Sequence, residues 1–238
     1  MTIKNLGEGV ANAIIAEREK NGEFKDIDDF VTRIQNKDLN KKSLESLIKC
    51  GAFDSFGLER GQALENIDDF LRFNQAAKKM DSSKQFSLFG DGTATLASLK
   101  MRPGKPAAKS ASLAWEKELL GFYLTDHPFS PYSGSFGNSV KTARELHSVQ
   151  SSSSNGASPR VKTAGVVANV QKILTKNGEQ MLFVSIEDLT GSIELLVFPR
   201  TLDRTKNLWE EGKVVLAGGR LSAKNGEAKL ICDEARAI

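Results

Sequence analysis

The sequence is poor in the residues that build metal sites and disulfide frameworks. It has only 2 cysteines and 2 histidines among 238 residues, and Cys50 and Cys232 lie too far apart in the sequence to form a metal-ligand pair. This usage fits a reducing compartment and excludes the disulfide scaffold of small secreted proteins. We therefore expect no metal, no cofactor and no disulfide framework.

Long apolar runs are missing as well. No stretch approaches the ~20 consecutive apolar residues of a membrane-spanning helix, and residues 1–8 lack the basic start and apolar block of a secretory signal. With 39% hydrophobic and 26% charged residues, the chain has enough apolar side chains for one or two ordinary cores. We expect a cytoplasmic protein that does not contact a membrane.

Sequence motifs of catalysis are absent too. The chain contains neither a P-loop nor a Gly-x-Ser-x-Gly sequence. Asp28-Asp29 and Asp68-Asp69 fall in predicted helices, where adjacent side chains point about 100° apart and are poorly placed to share one Mg²⁺ ion. His127 and His147 have no cysteine or second histidine nearby. We therefore predict no catalytic residue here, and structural roles for both histidines.

The first eighty residues have the hydrophobic period of helices. Apolar residues recur at helical spacing in four segments, of which the fourth runs from Leu58 to Lys79. Asp26 and Asn40 stand where N-caps belong, and Gly51 stands where a left-handed residue ends a helix. Residues 1–80 are therefore predicted to form a small helical domain.

The middle of the chain loses this regularity. Residues 81–111 gather Gly, Ser, Pro, Lys and Ala and predict a flexible linker. A helix is predicted from Leu113 to Thr125, stopped by His127-Pro128, within a helical or irregular connecting segment, 112–149. Residues 150–160 include four consecutive serines and predict a second linker.

From Val161 the hydrophobic period changes to two, which indicates strands. Strands are predicted over 161–175, 180–187, 192–198, 213–221 and 228–236, and a helix over 200–209. Five strands with a helix between the third and the fourth describe an OB-fold barrel over residues 161–238. The predicted fold class is a helical domain followed, after the linkers, by this barrel.

The first linker contains a candidate docking peptide, Gln85-Phe86-Ser87-Leu88-Phe89. It sets large hydrophobes in a polar segment that cannot bury them locally, which is typical of a short segment that binds a partner. Residues 81–112 carry 5 Lys and Arg against 2 Asp and Glu, an excess equal to the +3 net charge of the whole chain. The alternative is that so short a pattern arose by chance.

Two places are candidates for contact with nucleic acid. Gly7-Glu8-Gly9 resembles the hairpin of a helix-hairpin-helix unit, in which backbone amides at a helix N-terminus approach a phosphate; the alternative is a plain turn. On the barrel, the usual binding face and its hairpin loops offer Lys172, Lys176, Lys224 and Lys229. Met181 and Phe183 lie opposite the core-facing side chains of the second strand and are predicted either to stack bases or to cover a second small core.

The order of these parts resembles the C-terminal region of the bacterial DNA polymerase III alpha subunit. The most specific segments are Glu116 to Tyr123 with His127-Pro128-Phe129 and Pro131-Tyr132, Lys41 to Asp54, and Ile186 to Gly191. The resemblance implies that Gln85, Leu88 and Phe89 anchor the linker to the sliding clamp, with Phe86 and Ser87 at variable positions. It also implies that DNA, duplex and single-stranded, and the rest of the polymerase III holoenzyme are partners, and that the polymerase domains would lie before residue 1.

Two other classes of function remain open from the sequence. The barrel is similar to the anticodon-binding region of aminoacyl-tRNA synthetases, which would make the chain an RNA-binding appendage. Alternatively, the chain is a stand-alone scaffold for protein interactions. The relative affinity for DNA and RNA, and its salt dependence, distinguish the three.

Overall fold

The computed structural model describes residues 3–83, 98–150, 159–222 and 227–238. The chain forms two compact units, Met1–Thr125 and Asp126–Ile238. The first unit is helical and the second contains a closed five-stranded barrel, so the predicted fold class is confirmed. Among the described residues, no helix combines the length and apolar character needed to cross a membrane.

The first unit contains six α-helices among its described residues. They are α1 Glu8–Asn21, α2 Ile27–Arg33, α3 Lys41–Lys49, α4 Arg60–Glu65, α5 Ile67–Ser83 and α6 Lys109–Leu120. The predicted caps are confirmed, because the Asp26 side chain accepts a hydrogen bond from the Asp29 amide and the Asn40 side chain accepts one from Ser43. Gly51 is left-handed, with φ of 83°.

The predicted fourth helix is in fact two helices, α4 and α5, which meet at Asn66. The Asn66 side chain is fully buried, and its amide nitrogen donates to the Gln62 carbonyl at 2.8 Å and to the Arg102 carbonyl at 3.0 Å. The Asn66 side-chain oxygen accepts from the Arg102 amide at 2.8 Å. A buried amide that pairs with a distant backbone cannot be inferred from helical periodicity. The same bonds hold part of the predicted linker against the first unit.

Helix α6 ends earlier than predicted. Gly121, with φ of 84°, is its left-handed C-terminal cap, and its amide bonds to the Lys117 carbonyl at 3.0 Å. The predicted stop at His127-Pro128 was therefore wrong, since the glycine ends the helix several residues before the proline. The chain after Gly121 turns back so that the amides of Leu124 and Thr125 reach the Glu116 carboxylate.

A buried ion pair between Arg60 and Glu116 joins α4 to α6. Glu116 has no exposed surface, and it accepts from the Arg60 guanidinium at 2.9 Å, the Leu124 amide at 2.7 Å and the Thr125 amide at 3.0 Å. Arg60 also bonds to Asp54 and to the Lys49 carbonyl. Burial alone would raise the pKa of Glu116, but these bonds outweigh it and hold the pKa below its ordinary value.

The second unit begins with a short irregular segment and helix α7, Ala143–Gln150. Its strands are β1 Arg160–Leu174, β2 Gln180–Glu187, β3 Ser192–Val197, β4 Val214–Ser222 and β5 Lys229–Ala237, with helix α8, Pro199–Thr205, between β3 and β4. The barrel closes in the order β1-β2-β3-β5-β4. Among these strands, only the β3–β5 pairing is parallel. The element order matches the OB-fold prediction.

Helix α7 is attached to the barrel by Asp188, in the turn between β2 and β3. One Asp188 oxygen accepts from the Ala143 amide at 2.7 Å, and the other accepts from the amides of Thr190 and Gly191. Ala143 and Leu146 lie in the barrel core. The predicted connecting segment 112–149 is thus shared between the two units, and residues 151–158 of the predicted second linker lie outside the described residues.

Replacing Glu116 with Gln tests the importance of this ion pair. The new side-chain NH₂ group would face the donors that now converge on the carboxylate, so we expect the first unit to lose about 3 kcal/mol. The matched control is Glu118→Gln on the same helix, where the side chain is 60% exposed and the expected change is below about 0.5 kcal/mol. Hydrogen exchange of residues 44–65 and 109–125 measures both variants.

The lowered pKa of Glu116 also sets a pH dependence. A depressed carboxyl pKa stabilises the fold above the ordinary value of 4.5, and this contribution is lost as the pH falls toward the folded-state pKa. The difference in protection between the parent chain and Glu116→Gln should therefore shrink on acidification from pH 7. A difference that stays constant down to about pH 3 would contradict this assignment.

Candidate nucleic-acid interface

The outer surface of β1, β2, β3 and β5 forms a mixed apolar and polar face on the barrel. Strand pairing places Phe183 opposite Gln171 on one side and Leu196 on the other. Leu196 in turn lies opposite Ile231 of β5. The alternate residues Leu182, Val184 and Ile186 point into the core, as predicted. We call this surface the Phe183 face.

Phe183 and Lys229 lie close together on this face. Phe183 is half-buried, and the Lys229 Nζ atom lies 5.9 Å from the centre of its ring. The same Nζ atom is 2.7 Å from a Glu194 carboxylate oxygen. The hydrogen bond from Lys229 to Glu194 raises the pKa of Lys229. Lys229 therefore remains charged beside an aromatic ring, a combination that accepts a stacked base and its phosphate.

The other predicted barrel residues are not all on the Phe183 face. Met181 is only 6% exposed, so it offers little surface for a base. Lys172 is exposed, and it is paired across the strands with Leu182, whose side chain points into the core. Because paired residues point to the same side of a sheet, Lys172 lies on the side opposite to Phe183. Lys176 lies in the exposed turn between β1 and β2. Lys224 lies outside the described residues.

The predicted hairpin, Gly7 to Gly9, starts helix α1. Gly7 is its N-cap, with extended backbone and no side-chain cap. The Gly7 carbonyl accepts the third amide of the helix at 3.1 Å, so the first two amides are the donors without helical partners. A Cβ atom at Gly7 would meet nothing within 4 Å, whereas one at Gly9 would lie 3.1 Å from an Asp38 oxygen. The Asn36 side chain donates to the Gly9 carbonyl at 3.1 Å.

The candidate clamp peptide cannot be placed in the same way. Gln85, Leu88 and Phe89 lie outside the described residues, because the described chain stops at residue 83 and resumes at 98. Their role therefore remains a prediction from sequence.

Comparison with known families finds two matches that coincide with these surfaces. Residues 1–63 match the helix-hairpin-helix motif, and residues 161–238 match the family described as OB-fold nucleic acid binding domain. The first match contains Gly7 and Gly9, and the second contains the Phe183 face.

Relatives of the whole chain are more informative. The DNA polymerase III subunit alpha of Borreliella burgdorferi is 35% identical over 98% of this chain and 20% of its own length. That of Deinococcus radiodurans is 33% identical over 98% of the chain and 18% of its own length. The chain belongs to the DNA polymerase III alpha-subunit family and matches its C-terminal region. It spans about a fifth of the length of these relatives.

Similarity to solved structures adds no functional argument. An asparaginyl-tRNA synthetase from Pyrococcus horikoshii aligns with 42% of the chain and 22% of its own at 20% identity and a TM-score of 0.33. The yeast Stn1 and Ten1 structure aligns with 49% of the chain and 70% of its own at 18% identity and a TM-score of 0.35. Both TM-scores are too low to support an inference about this chain.

The segments that carry the polymerase III resemblance have clear structural roles. The segment Glu116 to Tyr123 begins with the buried acid, Lys41 to Asp54 supplies two partners of Arg60, and Ile186 to Gly191 contains Asp188. Both histidines make hydrogen bonds to the backbone or lie within reach of it: His127 Nδ1 accepts from the Phe129 amide at 3.1 Å, and His147 Nε2 lies 3.0 Å from the Ser192 carbonyl.

Sequence reasoning missed four residues of the Phe183 face: Glu194, Leu196, Phe198 and Ile231. Ile231 became visible only through the parallel β3–β5 pairing, which links residues far apart in sequence. Phe198 is 41% exposed and follows β3 at the next outward position. The alternation of β3 in the sequence contained the signal for Phe198, since Glu194 and Leu196 precede it at spacings of two.

Replacing Phe183 with Leu tests the Phe183 face. Leucine keeps the apolar packing but removes the flat ring, so we expect roughly tenfold weaker binding to single-stranded DNA. The control is Phe122→Leu, a 37% exposed aromatic of the first unit, with unchanged affinity. Fluorescence anisotropy of a labelled oligonucleotide at fixed salt measures both. Equal affinity of the two variants would count against base stacking on Phe183.

Proposed function

We propose that this chain holds DNA and tethers the sliding clamp within the alpha subunit of a replicative polymerase III. In this proposal it acts in the cytoplasm without a cofactor, and other parts of the holoenzyme perform nucleotide transfer. The main supporting observation is the half-buried Phe183 beside charged Lys229 on a barrel that matches nucleic-acid binding domains.

The barrel is the proposed site for template single strand. One base would stack on Phe183, with its phosphate near Lys229. Lys172, Lys176 and Lys224 would add positive charge that attracts the rest of the strand. Met181 would support Phe183 from beneath instead of contacting a base. Stacking contributes about 1–3 kcal/mol per base. Because Glu194 neutralises much of the charge of Lys229, binding should be modest and tolerant of sequence.

The Gly7–Gly9 hairpin is the proposed site for duplex phosphates. The outward amides of the first turn of α1 can donate to a phosphate oxygen, and the helix dipole favours the negative charge. Glycine at position 7 leaves the approach open, since a Cβ atom there would point into open space. Gly9 supports the same geometry because its carbonyl is held by Asn36.

The linker peptide is the proposed anchor for the clamp. Burial of Leu88 and Phe89 offers roughly 3 to 6 kcal/mol before the cost of ordering the segment. The isolated peptide should therefore bind only in the micromolar range or more weakly. Because it is joined to surfaces that contact DNA, a high effective concentration would convert this weak contact into long residence.

The double variant Leu88→Ala plus Phe89→Ala tests the clamp anchor. We expect at least roughly tenfold weaker binding to the clamp, because both apolar anchors are lost. The control is Phe86→Ala plus Ser87→Ala in the same peptide, at the positions that the family resemblance leaves variable, and its affinity should change little. Calorimetric titration against purified clamp measures both. If the Leu88→Ala plus Phe89→Ala variant binds the clamp with unchanged affinity, the peptide is not the clamp anchor.

The variant Gly7→Ala tests the duplex site. A methyl group there meets no protein atom within 4 Å, so the fold should persist while the approach of a phosphate is obstructed. We expect several-fold weaker binding to duplex DNA and an unchanged melting temperature. Gly134→Ala, whose Cβ would also meet nothing within 4 Å, is the control. If both variants bind duplex equally well, Gly7–Gly9 is a plain turn.

The same binding assays separate the other two functions. A marked preference of the barrel for RNA over DNA of matched sequence would favour the RNA-binding appendage. Absence of any nucleic-acid binding at low salt, together with binding to another protein, would favour the scaffold.

A further inference from the structure

The second unit has a groove that shares no residue with the Phe183 face. It lies between the first half of β1, strand β4, the end of β5 and the irregular segment before α7, and its volume is about 850 Å³. The Phe183 face uses the second half of β1, strands β2 and β3, and the first half of β5. The barrel therefore presents two surfaces that share strands β1 and β5 but no residue, and the groove is the concave one.

Cations outnumber carboxylates along this groove. Its lining includes Lys141, Arg160, Lys162 and Arg236, against Asp233 and Glu234. Asp233 lies 3.1 Å from Arg160 and 3.9 Å from Arg220, so one carboxylate serves two guanidinium groups. Glu234 lies 3.4 Å from Lys162. Arg236 has no ion pair within the described part of the chain. The groove thus keeps an excess of positive charge that suits an anionic ligand.

An aromatic ring lies beside these cations. Phe136 lines the groove and is half-buried. Its ring stacks on Phe129, with centres 6.4 Å apart and planes inclined by 8°. Phe129 is 7% exposed and packs on Ala164 and Val166 of β1. Phe136 is therefore held in a fixed orientation with part of its surface open, as a stacking platform requires.

Two glycines of β4 line the groove where this strand approaches β5 closely. A Cβ atom at Gly219 would lie 1.9 Å from the Ile231 carbonyl oxygen, and one at Gly218 would lie 2.8 Å from a Glu234 oxygen. The strand pairing shifts register between these residues. The close approach of β4 and β5 thus requires glycine at position 219, whereas the space over Gly218 is occupied by the Glu234 side chain.

We propose that this groove binds a short single-stranded nucleic-acid segment, with phosphates on Arg160, Lys162 and Arg236 and one base on Phe136. An excess of cations attracts any anionic chain, but a fixed, partly open ring beside them adds a preference for a ligand with flat bases. An acidic peptide would use the cations and gain little from Phe136. The inference goes beyond the function proposed above, because it requires neither the Phe183 face nor the hairpin.

The test uses the whole chain and oligodeoxythymidylates of increasing length. The groove variant is Arg160→Gln, Lys162→Gln and Arg236→Gln, all at exposed strand positions. The control removes the same charge from α8 and the turn after it, through Arg200→Gln, Arg204→Gln and Lys206→Gln, which are also exposed. We expect the groove variant alone to lower the salt slope of binding by about 2, since about 0.7 is lost for each phosphate contact.

A second measurement locates the base. Oligonucleotides that contain iododeoxyuridine are irradiated in complex with the parent chain, and we expect crosslinked peptides that contain Phe136 and Phe183. In the Phe136→Leu variant we expect the first crosslink to be lost and the second to remain. Groove and control variants with equal salt slopes, or crosslinks confined to the Phe183 face, would overturn the proposal. Loss of binding in Phe183→Leu with full binding in the groove variant would overturn it as well, and would leave the function proposed above intact.

Discussion

The buried ion pair between Arg60 and Glu116 is the constraint on which the first unit depends. It joins residues 56 positions apart in sequence, and Glu116 also receives the amides that follow α6. A carboxylate without exposed surface is tolerated only because the donors around it point at it. Helix α6 is therefore fixed by an ion pair and hydrogen bonds in addition to apolar burial.

The second unit uses the same kind of device at Asp188. A carboxylate in a turn satisfies the amides of its own loop and the first amide of a helix from an earlier part of the chain. In both units the acid lies in a segment of high resemblance to polymerase III alpha subunits. Those segments connect elements, while the exposed surfaces that would contact DNA lie elsewhere.

Sequence alone predicted the local structure well and the long-range pairing poorly. The caps at Asp26 and Asn40, the left-handed Gly51 and the five strands followed from local chemistry. The break at Asn66 and the end of α6 at Gly121 did not, because the first depends on a partner at Arg102 and the second was masked by a later His-Pro pair. On the barrel, alternation indicated Phe183 as outward-facing, but only the parallel β3–β5 register showed Lys229 beside Glu194.

The attachment of α7 through Asp188 defines where the barrel can be cut and exchanged. Ala143 and Leu146 fill part of the barrel core although they precede β1 in the chain. If recombination joined two related genes at the first strand, the barrel core would lose the matching side chains of α7. A junction near residue 125 would instead transfer α7 together with the barrel. The segment that can be exchanged as a unit is thus larger than the five strands. Exchange between related genes should therefore favour a junction near residue 125 over one at the first strand.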